Sequence, residues 1–202
     1  MDTNPAEIDR VQVLDAADAL FYAHGIQAVG MDRIRDAAQI PLKRLYRAFP
    51  SKAALVEAYL RRRDERARAA LRAYTAGRPT PQASVLAVFD WLYEWYQQPE
   101  FRGCAFNNAF GELGEDSESV AQAVSDHMTA IRDHLRLLTA EMPASEALAA
   151  QLHILISGAT ILAAVHHTPE PARQARDAAQ ALLNAMAEAS AAPPPDHHAP
   201  VS

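Results

Sequence analysis

One cysteine, Cys104, stands among 202 residues, so no internal disulfide framework can form, and such usage fits a reducing, cytoplasmic setting. Glycine is scarce too: seven residues against thirteen prolines, most of the prolines standing where helices would begin or in the final residues. No stretch alternates persistently between apolar and polar side chains. With 50% of the residues hydrophobic, this predicts an all-α protein whose helices are joined by short loops. No glycine-rich phosphate loop occurs. His127 and His134 lie seven apart, His166 and His167 are adjacent, and His197–His198 fall near the end, so none has the i, i+4 spacing of a helical metal pair. His153 sits on an apolar helix and reads as a core or pocket histidine. No motif ties Cys104 to a base, and a buried structural thiol is the plainer reading. An enzyme is therefore not expected, nor a metal or a cofactor. The N-terminus is not signal-like. The longest apolar run, Leu152 to Val165, is shorter than the ~18–20 residues that span a bilayer, and no membrane association is expected.

The formal charge of −6 would on its own argue against a nucleic-acid partner, but its distribution reverses that. Arg33 to Arg63 carries nine Lys/Arg against two acids, Asp36 and Glu57, whereas Asp64 onward carries nine Arg against seventeen acids. A basic head on an acidic body can meet phosphate while the body stays off non-specific DNA. The plainer alternative is a solvated basic helix face.

Met31 to Lys52, MDRIRDAAQIPLKRLYRAFPSK, decides between them. Ile34, Ala37 and Ala38 share a face at i, i+3, i+4. Pro41 biases Ile40 away from the helical region and suits the first turn of a new helix from Leu42 to Ala48. There Leu45, Ala48 and Phe49 share a face while Lys43, Arg44 and Arg47 point elsewhere. Two short helices with a tight turn, the second bearing free cations, predict a helix-turn-helix. Upstream, Asn4–Pro5–Ala6–Glu7 reads as a capped helix start. That helix would run to about His24, with Val11, Leu14, Ala17 and Phe21 inward and Gly25 ending it. Lys43 and Arg44 are the candidates for base edges, since either side chain pairs with guanine O6/N7. Arg33 and Arg47 are assigned to backbone phosphates, which set register rather than sequence. Leu42, at the start of the same helix, belongs to the DNA face as well. Ser51 caps the next helix and leaves backbone N–H groups near Lys52 for a phosphate. Tyr46 has two readings, a hydroxyl donor to phosphate or a half-buried packing residue.

The stretch resembles the TetR family of one-component bacterial regulators. Ala16–Ala17, Leu20–Phe21, Gly25, Ile34, Ala37–Ala38, Leu45–Tyr46, Phe49 and Ser51–Lys52–Ala53–Ala54–Leu55 carry the likeness. Gln39 stands where that family usually has glycine, and Pro41 where Ser or Thr is common. A left-handed Gln39 would cost roughly 1–2 kcal/mol. The resemblance implies a phosphate contact for Tyr46, a dimer through the last two helices, and a body that binds an effector.

Beyond the head, a long helix from Ser51 to about Thr75 reads as a connector, with Arg61, Arg62 and Arg63 as a solvated face or a further DNA contact. Gly77–Arg78–Pro79–Thr80–Pro81 is the clearest punctuation. Val85, Val88, Phe89, Leu92 and Tyr96 mark a buried face, with Trp91 and Trp95 four apart. FRGCAFNNAFGEL resembles a segment of one branch of TetR-like C-terminal domains. Its Asn107, Asn108 and Glu112 either face a cavity or satisfy backbone. Ser117 to Ala140 and Glu146 to His166 follow as helices. Pro169 and Pro171 precede a last helix with a stripe of Ala175, Ala178, Ala179, Leu182, Leu183 and Met186, fit for a four-helix dimer bundle or for the monomer core.

The expected architecture is thus a three-helix DNA-binding head (residues 1–52), a helical effector-binding and dimerisation body (53–190), and a disordered tail (191–202). Trp91, Trp95, Phe106, Asn107, Phe110, Met128 and His153 are the candidate ligand contacts, fitting an apolar or aromatic effector. The predicted function is a repressor that binds a palindromic double-stranded operator as a homodimer and is released by that effector. The alternative is a helical ligand-binding or interaction protein that has lost specific DNA binding.

Overall fold

The computed structural model describes residues 4–191, and among these there are nine helices and no strand. They are α1 (Pro5–His24), α2 (Met31–Ala38), α3 (Leu42–Ala48), α4 (Lys52–Thr75), α5 (Pro81–Tyr96), α6 (Ala105–Leu113), α7 (Glu118–Thr139), α8 (Ser145–His166) and α9 (Glu170–Ala191). The expected tail, with Pro193–Pro195 and His197–His198, lies outside the described residues.

Local chemistry starts these helices where it should. Asn4 accepts from the Ala6 N–H at 3.1 Å, Ser51 from Ala54 at 3.1 Å, Thr80 from Ala83 at 3.1 Å and Ser117 from Val120 at 3.4 Å. Each satisfies one N–H that the first helical turn leaves open. Gly25 ends α1 at φ 87°, a conformation that glycine adopts without strain. Pro171 falls inside the first turn of α9 rather than ahead of it, where its missing N–H costs nothing.

Two apolar clusters hold the fold. The first joins α1, α2 and α3 to the opening turns of α4 and to α6 and the start of α7, around Phe21, Ile34, Leu45, Phe49, Leu55 and Tyr59. The expected boundary at residue 52 therefore falls inside continuous packing. The second joins α5, α8 and α9 with Leu135 of α7 and Leu71 of α4. Connector α4 enters both clusters. Two expected core positions turn out exposed. Val11 lies on the outer face of α1, whose buried stripe is Asp9, Val13, Leu14, Ala17 and Phe21, and Ala37 lies on the outer face of α2.

Helix α8 exceeds the apolar run seen in the sequence. By length and composition it is long and apolar enough to cross a membrane. Here it packs against α5, α7 and α9 through Leu148, Leu152, Ala159 and Ala163, and leaves one apolar face uncovered. Ile154 is 71% exposed and Val165 65%, with Ile161 and Leu162 between them also exposed. In α9, Ala175, Ala179 and Leu183 are buried in the monomer's own cluster, so that part of the small-residue stripe is already used within the chain.

Candidate nucleic-acid interface and cavity

The turn between α2 and α3 closes through backbone bonds. The Gln39 N–H donates to the Asp36 carbonyl at 3.3 Å and the Ile40 N–H to the Arg35 carbonyl at 3.4 Å. This is a Schellman motif with Gln39 in the left-handed position, φ 54° and ψ 38°. Ile40 is then buried and Pro41 opens α3 at φ −62°. Leu45 and Phe49 anchor α3 inward, and Arg10 of α1 braces its end by donating to the Ala48 carbonyl at 3.2 Å and lying over the Phe49 ring.

The outer face of α3 carries Leu42, Lys43, Tyr46 and Arg47, all exposed. Arg44 is not among them. Its Nε donates to Asp9 Oδ2 at 2.7 Å, its Nη2 donates to Oδ1, and the Asp9 side chain is only 2% exposed. The two hydrogen bonds from Arg44 hold the Asp9 carboxyl below its usual range against the opposing effect of burial, with a weaker contact from Arg47 at 3.4 Å. The Arg44 guanidinium is thus committed to a buried carboxylate instead of standing free on the outer face of α3. Arg33 is exposed on α2, while Arg35 is occupied by Asp32 and Asp36. Lys52 is half-buried beside the α1–α2 loop, with Nζ 3.4 Å from the Gln27 carbonyl oxygen, and burial lowers its pKa. Of the arginines in mid-α4, Arg61 stays on the solvated face, while Arg62 and Arg63 are half-buried against α1. Arg62 donates to Asp15 and to the Leu14 carbonyl, Arg63 donates to Asp18 at 2.6 Å, and Arg61 pairs with Glu57 on its own helix. The first two tie α4 to α1.

Behind the head lies a cavity of about 410 Å³ between α4, α5, α6, α7 and α8, with Asp18 of α1 at its edge. Of the residues expected there, Trp91, Trp95, Phe106, Asn107, Met128 and His153 line it. Phe110 does not: it is 52% exposed on the far side of α6. Asn108 also turns away, its amide donating to the Arg102 carbonyl at 3.0 Å. Residues that no motif singled out complete the wall, above all His127, which stacks on Phe106 with ring centroids 3.7 Å apart. Cys104 lines the cavity too, and burial pushes its thiol up, away from a thiolate nucleophile.

Glu112 proves to be a link between body and head. Its two oxygens accept from the Ile26 N–H at 3.0 Å and the Gln27 N–H at 2.7 Å in the α1–α2 loop. A second link is Tyr22 of α1, whose hydroxyl donates to the Gly103 carbonyl and accepts from the Arg102 N–H, each at 2.9 Å. The Tyr22 link reaches the segment leading into α6 and the Glu112 link reaches its C-terminal end, while the first turn of α6 forms one wall of the cavity.

Comparison with known proteins agrees with this layout. A family model described as bacterial regulatory proteins, tetR family, matches residues 13–59, from mid-α1 to the buried start of α4. A TetR-family transcriptional regulator from Streptomyces coelicolor superposes with a TM-score of 0.83 at 31% identity, over 89% of this chain and 96% of its own. The chain belongs to the TetR family of transcriptional regulators. The HTH-type transcriptional activator FasR from Mycolicibacterium smegmatis is 38% identical over 92 residues, 44% of this chain and 42% of FasR. The match thus spans under half of that curated relative. At the level of fold alone, a TetR regulator from Chloroflexus aurantiacus shares a TM-score of 0.78 at 21% identity, over 89% of this chain and 96% of its own. In this TetR-family chain the family match ends at Tyr59, so of the cavity's lining it includes Asp18 alone.

Proposed function

We propose that this TetR-family protein is a repressor that binds a palindromic operator as a homodimer and lets go when a small apolar or aromatic molecule fills the cavity. The observation that carries this reading is the pair of links at Glu112 and Tyr22, which couple one cavity wall to the loop and helix behind the DNA-facing surface. Occupying the cavity moves that wall, and the head moves with it. By linkage, an effector that weakens DNA binding is itself bound more weakly by the DNA complex, by the same factor.

On α3, Lys43 reads a guanine edge, with Leu42 beside it for apolar contact with a thymine methyl. Tyr46, Arg47, Arg33 and the start of α4 near Lys52 hold phosphates. The two heads engage successive major grooves about 34–36 Å apart, so the operator is a near palindrome. Dimerisation uses the uncovered face of α8, where Ile154, Gly158, Ile161 and Val165 recur at helical spacing and Gly158 has open space above it. Helix α9 contributes the faces not spent on α5. Burying such a face contributes about 25 cal/mol per Å². FasR is named an activator, which favours activation as a second reading; the position of the operator relative to the promoter decides between them.

Selection from a random double-stranded pool tests the reading. A two-fold symmetric site with half-sites one turn apart is expected, and a pool with no enriched sequence overturns it. In sedimentation the wild type is expected as a dimer and Ile161→Glu as a monomer, because a charge placed in that face must be desolvated. A dimer that survives the substitution places the interface elsewhere.

A further inference from the structure

We infer that the cavity selects neutral aromatic ligands bearing a hydrogen-bond donor, a phenol being the simplest, through the free lone pair of His127 Nε2. This rests on reading the cavity as the effector site. His127 lies on α7 with its side chain only 10% exposed. Its Nδ1 is 2.7 Å from Asp64 Oδ1 on α4, and Arg68 pairs with the other carboxylate oxygen at 2.6 Å. A carboxylate can only accept, so the ring proton sits on Nδ1. Nε2 is left as an acceptor, and no protein group bonds to it among the described residues. His127 lines the cavity, and an acceptor there without a protein partner favours a ligand that brings it a donor. Stacking on Phe106 fixes the plane of the imidazole, so the lone pair has a set direction.

The rest of the wall says what carries that donor. Trp91 and Trp95 stack with centroids 5.6 Å apart, and Met128, Ile131 and Ile156 continue the apolar surface. This suits a flat ring system. The charged groups on the wall are already engaged within the chain. Arg63 donates to Asp18, Arg66 approaches the same carboxylate at 3.9 Å, and Glu94 accepts from the Tyr74 hydroxyl. Thr160 and Ser157 donate to carbonyls of their own helix. The wall's charges offset one another, Arg63 and Arg66 against Asp18 and Glu94, so an ionic ligand finds no net charge here, whereas a neutral donor finds His127.

Calorimetry and tryptophan emission on the full chain, with 2-naphthol, 2-methoxynaphthalene and 2-naphthoate as probes, test this. Trp91 and Trp95 are the only tryptophans and both line the cavity, so the emission reports on this site. We expect 2-naphthol to bind about tenfold more tightly than 2-methoxynaphthalene, the factor that one buried hydrogen bond carries, with 2-naphthoate weaker than 2-naphthol. His127→Phe, which keeps a ring against Phe106, is expected to bind both neutral probes alike. The wild-type comparison stands even if that variant folds poorly. Equal binding of the two neutral probes by the wild type overturns the role of His127 and leaves the cavity as a binding site. Preference for 2-naphthoate overturns the neutral class. Binding of no probe, with emission unchanged, overturns the cavity reading together with this one.

Discussion

Gln39 holds the turn of the helix-turn-helix in a left-handed conformation that glycine adopts without a Cβ penalty. The penalty is roughly 1–2 kcal/mol, and glycine's greater loss of chain entropy returns part of it. Gln39→Gly is therefore expected to stabilise the protein by about 0.5–1 kcal/mol. A chain of this size should melt about 1–4 °C higher, which thermal denaturation followed by circular dichroism checks. A lower melting temperature would mean that the glutamine side chain is doing more than tolerating the turn. Neighbouring Arg44 shows how far residue identity can mislead. Its charge and place on α3 matched a base reader, but Asp9, thirty-five positions away, claims it. Nothing in the local pattern announces that pairing, because a lone aspartate on α1 looks like one more solvated acid until tertiary packing buries it.

Among the elements, short-range chemistry made the helices legible. Capping residues, prolines and Gly25 placed their ends within a few residues, and apolar spacing gave most inward faces. The misses at Val11 and Ala37 have one cause: spacing defines a face, but the neighbouring helices choose which edge of it is covered. Helix α6 was the hardest to read. Asn107, Asn108, Phe110 and Glu112 were all plausible cavity residues, and the fold sends only Asn107 there. Glu112 instead accepts two backbone N–H groups from a loop more than eighty residues earlier. Glu112→Ala should cost about 1–2 kcal/mol, since it leaves those donors to water or unpaired. It should also reduce the effect of any bound effector on DNA affinity. Stability by chemical denaturation and DNA binding with and without effector measure the two consequences, and a variant with full effector response would remove Glu112 from the coupling.

For the whole molecule, the basic head and acidic body were visible in the charge distribution, and the family likeness located the helix-turn-helix. The cavity was only partly visible, because it is assembled by six helices and completed by the Asp64–His127 pair, whose members are sixty-three positions apart. The buried histidines also give the protein a pH profile. Burial holds His127, His134 and His153 below the ordinary 6.5, with Arg72 adding to this at His134 and Arg132 at His153. Each therefore takes up its proton more readily unfolded than folded. Stability from this source is complete above pH ~6.5 and falls as the pH drops below it. Asp9, held below 3.8 mainly by Arg44, adds a second loss of the same sign as the pH falls below about 4. Denaturation midpoints measured from pH 7.5 to 4 should hold down to pH ~6.5 and decline below it, with a shallower first decline in His127→Phe; a flat profile down to pH 5 would contradict the burial of these imidazoles.

On the proposed reading, α3 reads DNA through Lys43 while Arg44 positions the helix. The measurement that tests it most directly is a titration of the selected operator with wild type, Lys43→Ala and Arg44→Ala at several salt concentrations. Log K for the wild type should fall with log salt by about 0.9 for each phosphate neutralised. Lys43→Ala should lose about 1–3 kcal/mol on the operator, with little change on random DNA and no change in thermal stability. Arg44→Ala should lose thermal stability and weaken binding to both DNAs. If Lys43→Ala binds the operator as tightly as wild type, or Arg44→Ala loses discrimination between the two DNAs while keeping its stability, the assignment of the reading face is wrong.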